Sequence, residues 1–234
     1  MELVLDRVSK QYQNKIAVDR ASLKLEKGVI GLLGANGAGK TTLMRMICGI
    51  LRPTSGTITF DGIDVSEEDY RDVLGYLPQD FGYYPNFTAK KFLMYMAALK
   101  GLDRQSAERK CAELLKTVNL TDCADKKIKT FSGGMKQRLG IAQAMVNDPD
   151  VLVLDEPTAG LDPKERVKFR NLIAELGNDR IVILSTHIVS DVEQIANRIL
   201  MIKDGQMIYD GSLESIGEHL EAFYLEQFSE SEVD

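Results

Sequence analysis

This 234-residue sequence lacks tryptophan, and its three cysteines, Cys48, Cys111 and Cys123, form no CxxC pair. Such spacing predicts neither a disulfide framework nor a metal site, and it is typical of a reducing compartment. No apolar run approaches the ~18 residues that a bilayer-spanning helix needs, and the first residues resemble a strand more than a signal peptide. We therefore expect that, if the protein serves a membrane, another chain crosses it.

The charge balance argues against a nucleic-acid partner. Lysine and arginine number 29 against 35 acidic residues, so the net charge is −6 and the isoelectric point is about 5.1. A basic surface that binds phosphate backbones is not expected from this balance. A hydrophobic content of 44% with 27% charged residues is typical of a globular protein, and the length suits one domain over 1–234.

The segment Gly34-Ala-Asn-Gly-Ala-Gly-Lys-Thr-Thr42 matches the phosphate-binding pattern Gly-x4-Gly-Lys-Ser/Thr. It lies between an apolar run and a helix-like run, which is the strand–loop–helix context that the pattern requires. Glycines allow backbone N–H groups to surround an anion, and the helix N-terminus adds partial positive charge. We expect Lys40 to reach the β- and γ-phosphates of a nucleotide and Thr41 to ligate Mg²⁺. The alternative is a glycine-rich turn with an incidental lysine. The predicted nucleotide-binding residues of this loop are Gly34, Asn36, Gly37, Gly39, Lys40, Thr41 and Thr42.

Strand and helix patterns predict an α/β fold. Asp61-Gly62 and Asp204-Gly205 each lie between strand-like runs and predict hairpins. The apolar runs 151–154 and 181–184 predict strands of a parallel sheet that is buried on both faces. Further predicted elements are strands at 3–5 and 21–25 and helices at 88–99, 106–118 and 164–176. The predicted parts of the domain are a catalytic core with a β subdomain (1–79 and 148–211), a helical subdomain (80–147), and a C-terminal helix and tail (212–234), in which the helix covers 212–228 and an acidic end 229–234.

Two adjacent carboxylates, Asp155 and Glu156, end the first of the buried runs. Because successive strand residues point to opposite sides, one carboxylate is expected to address a metal ion while the other faces a water molecule. Downstream of a P-loop, the pair matches a Walker B strand. Asp155 would bind Mg²⁺ and Glu156 would be the general base for the attacking water. A solvated strand end is the alternative.

Ser132-Gly133-Gly134 begins a helical run, where the serine hydroxyl can cap the helix and free N–H groups offer a second anion site. Alone, this motif would favour an ordinary capped helix. Its position between the P-loop and the Asp-Glu strand resembles the ATP-binding subunits of ABC transporters. The similarity extends from Leu3 to about Gly211. It includes three further motifs in the expected order, which end in Gln79, Asp162 and His187.

The resemblance implies an α/β P-loop NTPase with a RecA-like core, an N-terminal antiparallel β subdomain and an inserted α-helical subdomain. It also implies an ATPase that uses ATP and Mg²⁺. Tyr12 would stack on adenine, and Gln79 would contact Mg²⁺ and the attacking water. His187 would contact the γ-phosphate and hold Glu156 in line. The alternatives are a strand-edge tyrosine, a loop amide and a structural histidine.

A head-to-tail dimer is a further implication of the resemblance. Ser132, Gly133 and Gly134 would bind the γ-phosphate of ATP held by a second subunit. Asp162 would lie at the interface between the subunits, and it can cap a helix before Pro163 at the same time. The active unit would therefore contain two copies of the domain, either identical or different.

One motif departs from the family pattern. The family usually has Leu-Ser-Gly-Gly-Gln, whereas this chain has Phe131-Ser-Gly-Gly-Met135. Met135 removes an amide, but the phosphate contacts of Ser132 and the glycine N–H groups are expected to survive. With its P-loop sequence, the chain is most similar to the bacterial exporter branch that includes multidrug, antibiotic-resistance and sodium-efflux ATPases.

We therefore expect an ATP-hydrolysing subunit at the cytoplasmic face of the cell membrane, where it powers a separate transmembrane permease, as in an exporter. The alternative is a soluble ABC ATPase of DNA repair, translation or iron–sulfur assembly. Those relatives tend to have tandem cassettes, long coiled coils or cysteine clusters, and none is visible in this sequence. A small-molecule kinase with a P-loop would leave Ser132-Gly133-Gly134 without a role.

Four aromatic residues lie within 81–87, directly after Gln79. Aromatic side chains are common interface anchors, and an exposed cluster in a loop needs an explanation. We predict a groove that receives a short cytoplasmic helix of the transmembrane subunit. The alternative is that these aromatics pack the helical subdomain onto the sheet.

Overall fold

The computed structural model describes residues 1–217 and 219–229 of the chain. Its strands are β1 (Leu3–Tyr12), β2 (Lys15–Leu25), β3 (Gly28–Leu33), β4 (Ser55–Phe60), β5 (Ile63–Asp64), β6 (Leu74–Leu77), β7 (Val151–Asp155), β8 (Ile181–Thr186), β9 (Arg198–Lys203) and β10 (Gln206–Ser212). Its α-helices are α1 (Lys40–Ile47), α2 (Tyr70–Val73), α3 (Ala89–Leu99), α4 (Arg104–Thr117), α5 (Gly133–Ala144), α6 (Pro163–Leu176), α7 (Val189–Glu193), α8 (Leu213–Ile216) and α9 (Leu220–Ser229).

The smaller sheet is antiparallel and has the strand order β2-β1-β4-β5. β1 and β2 extend well beyond the predicted runs 3–5 and 21–25, because their paired outer halves contain many exposed polar residues that hide the strand pattern. The predicted hairpin at Asp61-Gly62 is confirmed. These residues join β4 to β5 with φ angles of 46° and 88°, the positive values that a type I′ turn requires.

The larger sheet has the order β10-β9-β3-β8-β7-β6, and only its β9–β10 pair is antiparallel. Every residue of β3, β7 and β8 is buried, as the apolar runs predicted. Parallel strands end at the same edge of a sheet, where α/β proteins bind ligands. The P-loop follows β3, Glu156 follows β7, His187 follows β8 and Gln79 lies just beyond β6. The topology therefore brings four predicted site segments to one edge.

The sequence pattern did not predict β6, which is the edge strand beside β7. This strand has only four residues, and one of them is Gly75. A Cβ atom at Gly75 would lie 2.3 Å from the carbonyl oxygen of Ala144, so the strand contacts the end of α5 too closely for a side chain. A short strand that requires glycine lacks the β-branched, alternating pattern by which strands are recognised.

Helices α3, α4 and α5 lie within 80–147, the range predicted to be a helical subdomain. Thr88 and Asp103 cap α3 and α4 by accepting hydrogen bonds from the first turn of each helix. Among the described residues of this range, the only β pairing is an isolated bridge between Thr88 and Lys127. The second half of α5 lies beside β6, where Gly140 approaches Leu77 and Ala144 approaches Gly75. The division of the chain at these bounds stays a prediction.

The predicted single helix over 212–228 is wrong. β10 continues to Ser212, and two helices, α8 and α9, follow it. Gly217 separates them with a φ of 83° and a ψ of −157°, a backbone conformation that favours glycine and does not continue a helix. Of the acidic end predicted at 229–234, Ser229 is the last residue of α9, and residues 230–234 lie outside the described residues. In the described ranges, no helix combines the length and the apolar character that crossing a bilayer would need.

Candidate nucleotide site

The P-loop connects β3 to α1 through a tight turn that requires glycine. Gly39 has a φ of 114°, and a Cβ atom there would lie 2.3 Å from the carbonyl oxygen of Ala17. At Gly34 a Cβ atom would lie 2.5 Å from the carbonyl oxygen of Ile202. The loop therefore packs directly on neighbouring backbone at both glycines, where a side chain has no room. This geometry is suited to phosphate binding.

Lys40 is the first residue of α1, and its side chain folds back over the loop. The Nζ atom donates hydrogen bonds to the carbonyl oxygens of Gly34 (2.6 Å) and Ala35 (3.1 Å). It also lies 3.9 Å from a carboxylate oxygen of Glu156. Burial lowers the pKa of Lys40, although the negative charges of Glu156 and Asp155 partly oppose this shift. The Lys40 ammonium group is thus held at the centre of the loop, where it can bind an anionic ligand.

Asp155 ends β7 as a buried carboxylate and accepts a hydrogen bond of 2.6 Å from the hydroxyl of Ser185. The Ser185 oxygen also accepts a hydrogen bond from the backbone N–H of Glu156. Ser185 therefore orients both acidic residues from the neighbouring strand. The sequence pattern did not predict a role for Ser185. The one indication was a polar residue within the largely apolar strand β8.

Glu156 does not continue the strand, because its φ is 49°. The expectation from strand alternation assumed that Glu156 continues the strand, and that premise is wrong, since β7 ends at Asp155 and the chain turns at Glu156. A non-glycine residue in this left-handed region is strained, and such strain is common at functional sites. The Glu156 carboxylate is 8% exposed, and its Oε2 atom lies 2.8 Å from Nδ1 of His187.

His187 follows β8 and closes one side of the site. Its side chain is 54% exposed, in contrast to the buried carboxylate with which it pairs. The next residue, Ile188, donates its N–H to the hydroxyl of Thr186, which fixes the turn after the strand. The histidine can therefore contact both a buried acid and a ligand that enters from solvent.

A cavity of about 580 Å³ opens between these segments, a volume within the usual range for small-molecule sites. It is lined by ten of the predicted site residues, which come from β1, the P-loop, α1 and the ends of three strands. They are Tyr12, Asn36, Gly37, Gly39, Lys40, Thr41, Thr42, Gln79, Glu156 and His187. Lys15 also lines the cavity and was not predicted, because an exposed lysine at the start of β2 has no distinctive sequence pattern.

The structure does not bring the second predicted anion site to this cavity. Ser132 is exposed and caps α5, where its hydroxyl accepts a hydrogen bond from the N–H of Met135 at 3.2 Å. Asp162 is also exposed and caps α6 by accepting a hydrogen bond from the N–H of Glu165 at 2.9 Å. Neither residue lines the cavity, and neither do Gly133 and Gly134. Within one chain the two anion sites are therefore separate.

Gly34 and Asp155 complete the predicted set and also lie outside the cavity lining. Each is one hydrogen bond away from the site. The carbonyl of Gly34 accepts a hydrogen bond from Lys40, which lines the cavity, and the carboxylate of Asp155 accepts one from Ser185, which also binds the backbone of Glu156.

The residues present fit a magnesium–nucleotide complex. Thr41, Gln79 and Asp155 supply oxygen atoms, the ligand type that Mg²⁺ prefers. No cluster of three histidine, cysteine or acidic residues that could hold a metal ion exists in the described part of the chain.

The aromatic residues at 81–87 divide into two groups. Phe81 packs edge-on against the buried Phe92, with ring centroids 5.7 Å apart. Tyr84 is 49% exposed and contacts Phe87 and Tyr95, with ring centroids 4.9 and 5.6 Å apart. Packing therefore explains Phe81, whereas the surface cluster of Tyr84, Phe87 and Tyr95 remains open to solvent on one side.

These features define a P-loop ATPase of the α/β class. The chain matches the family model described as ABC transporter over residues 18–159, and it belongs to that family as an ABC transporter ATP-binding protein. The comparisons thus confirm the predicted family and fold class, as well as the predicted ATPase activity.

Curated relatives and a solved structure extend this result. The chain is 39% identical over 215 residues to the uncharacterized ABC transporter ATP-binding protein YxlF of Bacillus subtilis, covering 92% of this chain and 72% of the relative. It is 40% identical over 210 residues to the Nod factor export ATP-binding protein I of Burkholderia pseudomallei, covering 88% and 69%. It is 38% identical over 214 residues to the linearmycin resistance ATP-binding protein LnrL of Bacillus subtilis, covering 90% and 69%. Such relatives agree with the predicted similarity to an exporter branch.

A solved dimer of the ATP-binding cassette MJ0796, described as a post-hydrolysis state bound to ADP and Pi, superposes with a TM-score of 0.81 at 26% identity. The match covers 90% of this chain and 98% of that one.

Proposed function

We propose that two copies of this cassette, or this cassette and a similar one, bind head to tail and hydrolyse Mg²⁺–ATP at two shared sites. The observation that supports this proposal is the separation of the two anion sites. The P-loop cavity opens to solvent, while Ser132 and Asp162 are exposed elsewhere on the same chain. A second copy would complete each cavity with residues that one chain cannot supply.

The chemistry follows from the positions of Glu156 and His187. Glu156 accepts a proton from the attacking water, and His187, 2.8 Å from its carboxylate, holds that carboxylate in line and contacts the γ-phosphate. Lys40 leaves the loop carbonyls to bind the β- and γ-phosphates. Tyr12 lines the cavity on the side of β1 and would stack on the adenine.

A bound Mg²⁺ held by Thr41, Gln79 and Asp155 would neutralise phosphate charge. Ser185 fixes the Asp155 carboxylate before any ion arrives, because its hydroxyl already donates to that group.

The proposed work is transport by a separate transmembrane permease at the cytoplasmic face of the membrane. Two relatives named for Nod factor export and for linearmycin resistance support the outward direction. The surface cluster of Tyr84, Phe87 and Tyr95 begins only five residues after Gln79, and we assign it to the contact with the permease. The competing function is a soluble ABC ATPase, which would need no permease.

The dimer is tested with Glu156→Gln, whose amide cannot accept the proton of the attacking water. We expect this variant to bind ATP with Mg²⁺, to hydrolyse it very slowly and to elute from a sizing column as a dimer with retained ATP. Glu175→Gln is the matched control, because Glu175 is exposed on α6 and outside the cavity. A Glu156→Gln protein that stays monomeric with ATP and Mg²⁺ would contradict the shared site.

A further inference from the structure

Asp191 is a completely buried carboxylate that does not line the nucleotide cavity. It lies on α7, four residues after His187. Its Oδ2 atom accepts a hydrogen bond of 2.6 Å from the hydroxyl of Thr158, which is also buried. Thr158 follows Glu156 by two residues. Two contacts therefore join the segments that contain Glu156 and His187. One is between Glu156 and His187, and the other is the hydrogen bond between Thr158 and Asp191.

The second oxygen of Asp191 faces two arginines of α6. Oδ1 lies 3.6 Å from a guanidinium nitrogen of Arg170 and 3.8 Å from Nε of Arg166. Neither distance is a hydrogen bond, and Oδ1 and the Arg166 Nε have no partner at hydrogen-bond distance. The two guanidinium groups offset the charge of the carboxylate, but Oδ1 is a buried polar atom without a hydrogen bond, and such an atom costs free energy.

These contacts lie on both sides of Asp162. Thr158 precedes Asp162 by four residues, and Arg166 follows it by four. Between them, residues 159, 160 and 162 to 164 are exposed. One buried carboxylate on the His187 segment thus anchors both flanks of the exposed segment that contains Asp162.

We propose that Asp191 is a positioning residue that makes the Asp162 segment and His187 move together. When a second subunit contacts Asp162, the displacement reaches His187 and Glu156 through Thr158 and the arginines. The cassette then hydrolyses ATP only when its partner is seated. This inference rests on the proposed head-to-tail dimer.

The test removes one hydrogen bond and keeps the shape. Thr158→Val has nearly the same volume but no hydroxyl for Asp191. We expect the KM for ATP to stay within about twofold and kcat to fall about tenfold, since nucleotide binding by the P-loop is untouched. The cooperativity of hydrolysis with respect to ATP should also decrease. Thr158→Ser keeps the hydroxyl and should restore wild-type values.

A packing control separates positioning from stability. Ile173→Val removes one methyl group from a fully buried position on α6, so it should lower the thermal midpoint without changing kcat or cooperativity. If Thr158→Val behaves like Ile173→Val, or if it raises KM with kcat unchanged, the inference is overturned. Two other results would instead overturn the proposed function. They are a wild-type protein that does not hydrolyse ATP and a Glu156→Gln protein that does not dimerise with ATP and Mg²⁺.

Discussion

At the scale of single residues, Met135 is the departure from the family pattern whose effect can be measured most directly. Its side chain is half-buried against the core, while its backbone N–H donates to the hydroxyl of Ser132. The proposed phosphate contacts come from that hydroxyl and from glycine N–H groups, which the side chain at 135 does not alter.

We therefore expect Met135→Gln to keep the rate of ATP hydrolysis within about tenfold of wild type, about 1.4 kcal/mol of barrier. Steady-state ATPase assays on the purified protein measure this. Ser132→Ala is the contrasting variant, because it removes the hydroxyl itself and should reduce hydrolysis much more. A change of about a hundredfold for Met135→Gln, in either direction, would show that the side chain at 135 contributes to the site.

Glu156 shows how one backbone angle decides the chemistry at this scale. With a φ of 49°, the residue leaves the strand. Its carboxylate lies at hydrogen-bond distance from His187. Ser185 binds the backbone of this turn and the carboxylate before it. Ser185 on the neighbouring strand β8 therefore orients the residue that we propose as the general base.

At the scale of elements, the segment between β6 and α3 has two surfaces with different roles. Phe81 packs inward on Phe92, while Tyr83 is half-buried beneath Lys136, whose Nζ lies 5.1 Å from the ring centroid. Tyr84 is exposed. The predicted groove is therefore best tested at Tyr84, where truncation disturbs the core least.

We expect Tyr83→Ala and Tyr84→Ala together, and Tyr84→Ala alone, to weaken membrane association and coupling to the permease. An exposed aromatic anchor stabilises a partner more than its own fold, so the basal ATPase rate of the isolated subunit should change little. Co-purification with membranes measures the association. Ile50→Ala is the control, because Ile50 is 61% exposed and lies outside this segment. Intact assembly of the Tyr84→Ala protein would show that the groove is elsewhere.

At the scale of the whole molecule, a head-to-tail dimer predicts complementation between two defective subunits. Lys40→Ala removes the P-loop cation, and Ser132→Arg blocks the second anion site. In a mixed pair, one site combines the intact Lys40 of one subunit with the intact Ser132 of the other. The second site combines the two substituted residues.

We expect neither variant, each combined with Glu156→Gln, to dimerise alone with ATP and Mg²⁺. Mixing them should produce a dimer that retains about one ATP, because two-fold symmetry leaves one complete site per mixed pair. A sizing column with radiolabelled ATP measures both quantities. Equal dimerisation of each variant alone, or none after mixing, would argue that each site lies within one chain.

The sequence alone was sufficient for the family, the order of the motifs and the P-loop. These depend on contiguous residues, such as the glycines that must pack against backbone at Gly34 and Gly39 and the apolar runs of β3, β7 and β8. The two Asp-Gly turns were predicted for the same reason, since a type I′ turn requires positive φ at adjacent residues. Nine of the predicted site residues line one cavity because the parallel strands end at one edge of the sheet, and Tyr12 of β1 joins them from the smaller sheet.

Only the tertiary structure decided which distant residues touch. The hydrogen bond of Ser185 to Asp155 and that of Thr158 to Asp191 each join segments about thirty residues apart, so they depend on the register between β7 and β8. The left-handed turn at Glu156, the short edge strand β6 and the break at Gly217 were also absent from the predictions. At Glu156 and in β6, contacts with neighbouring segments, not the local pattern of residues, select the backbone conformation. Gly217 has open space around it, so the break there follows from the freedom of glycine to adopt a positive φ.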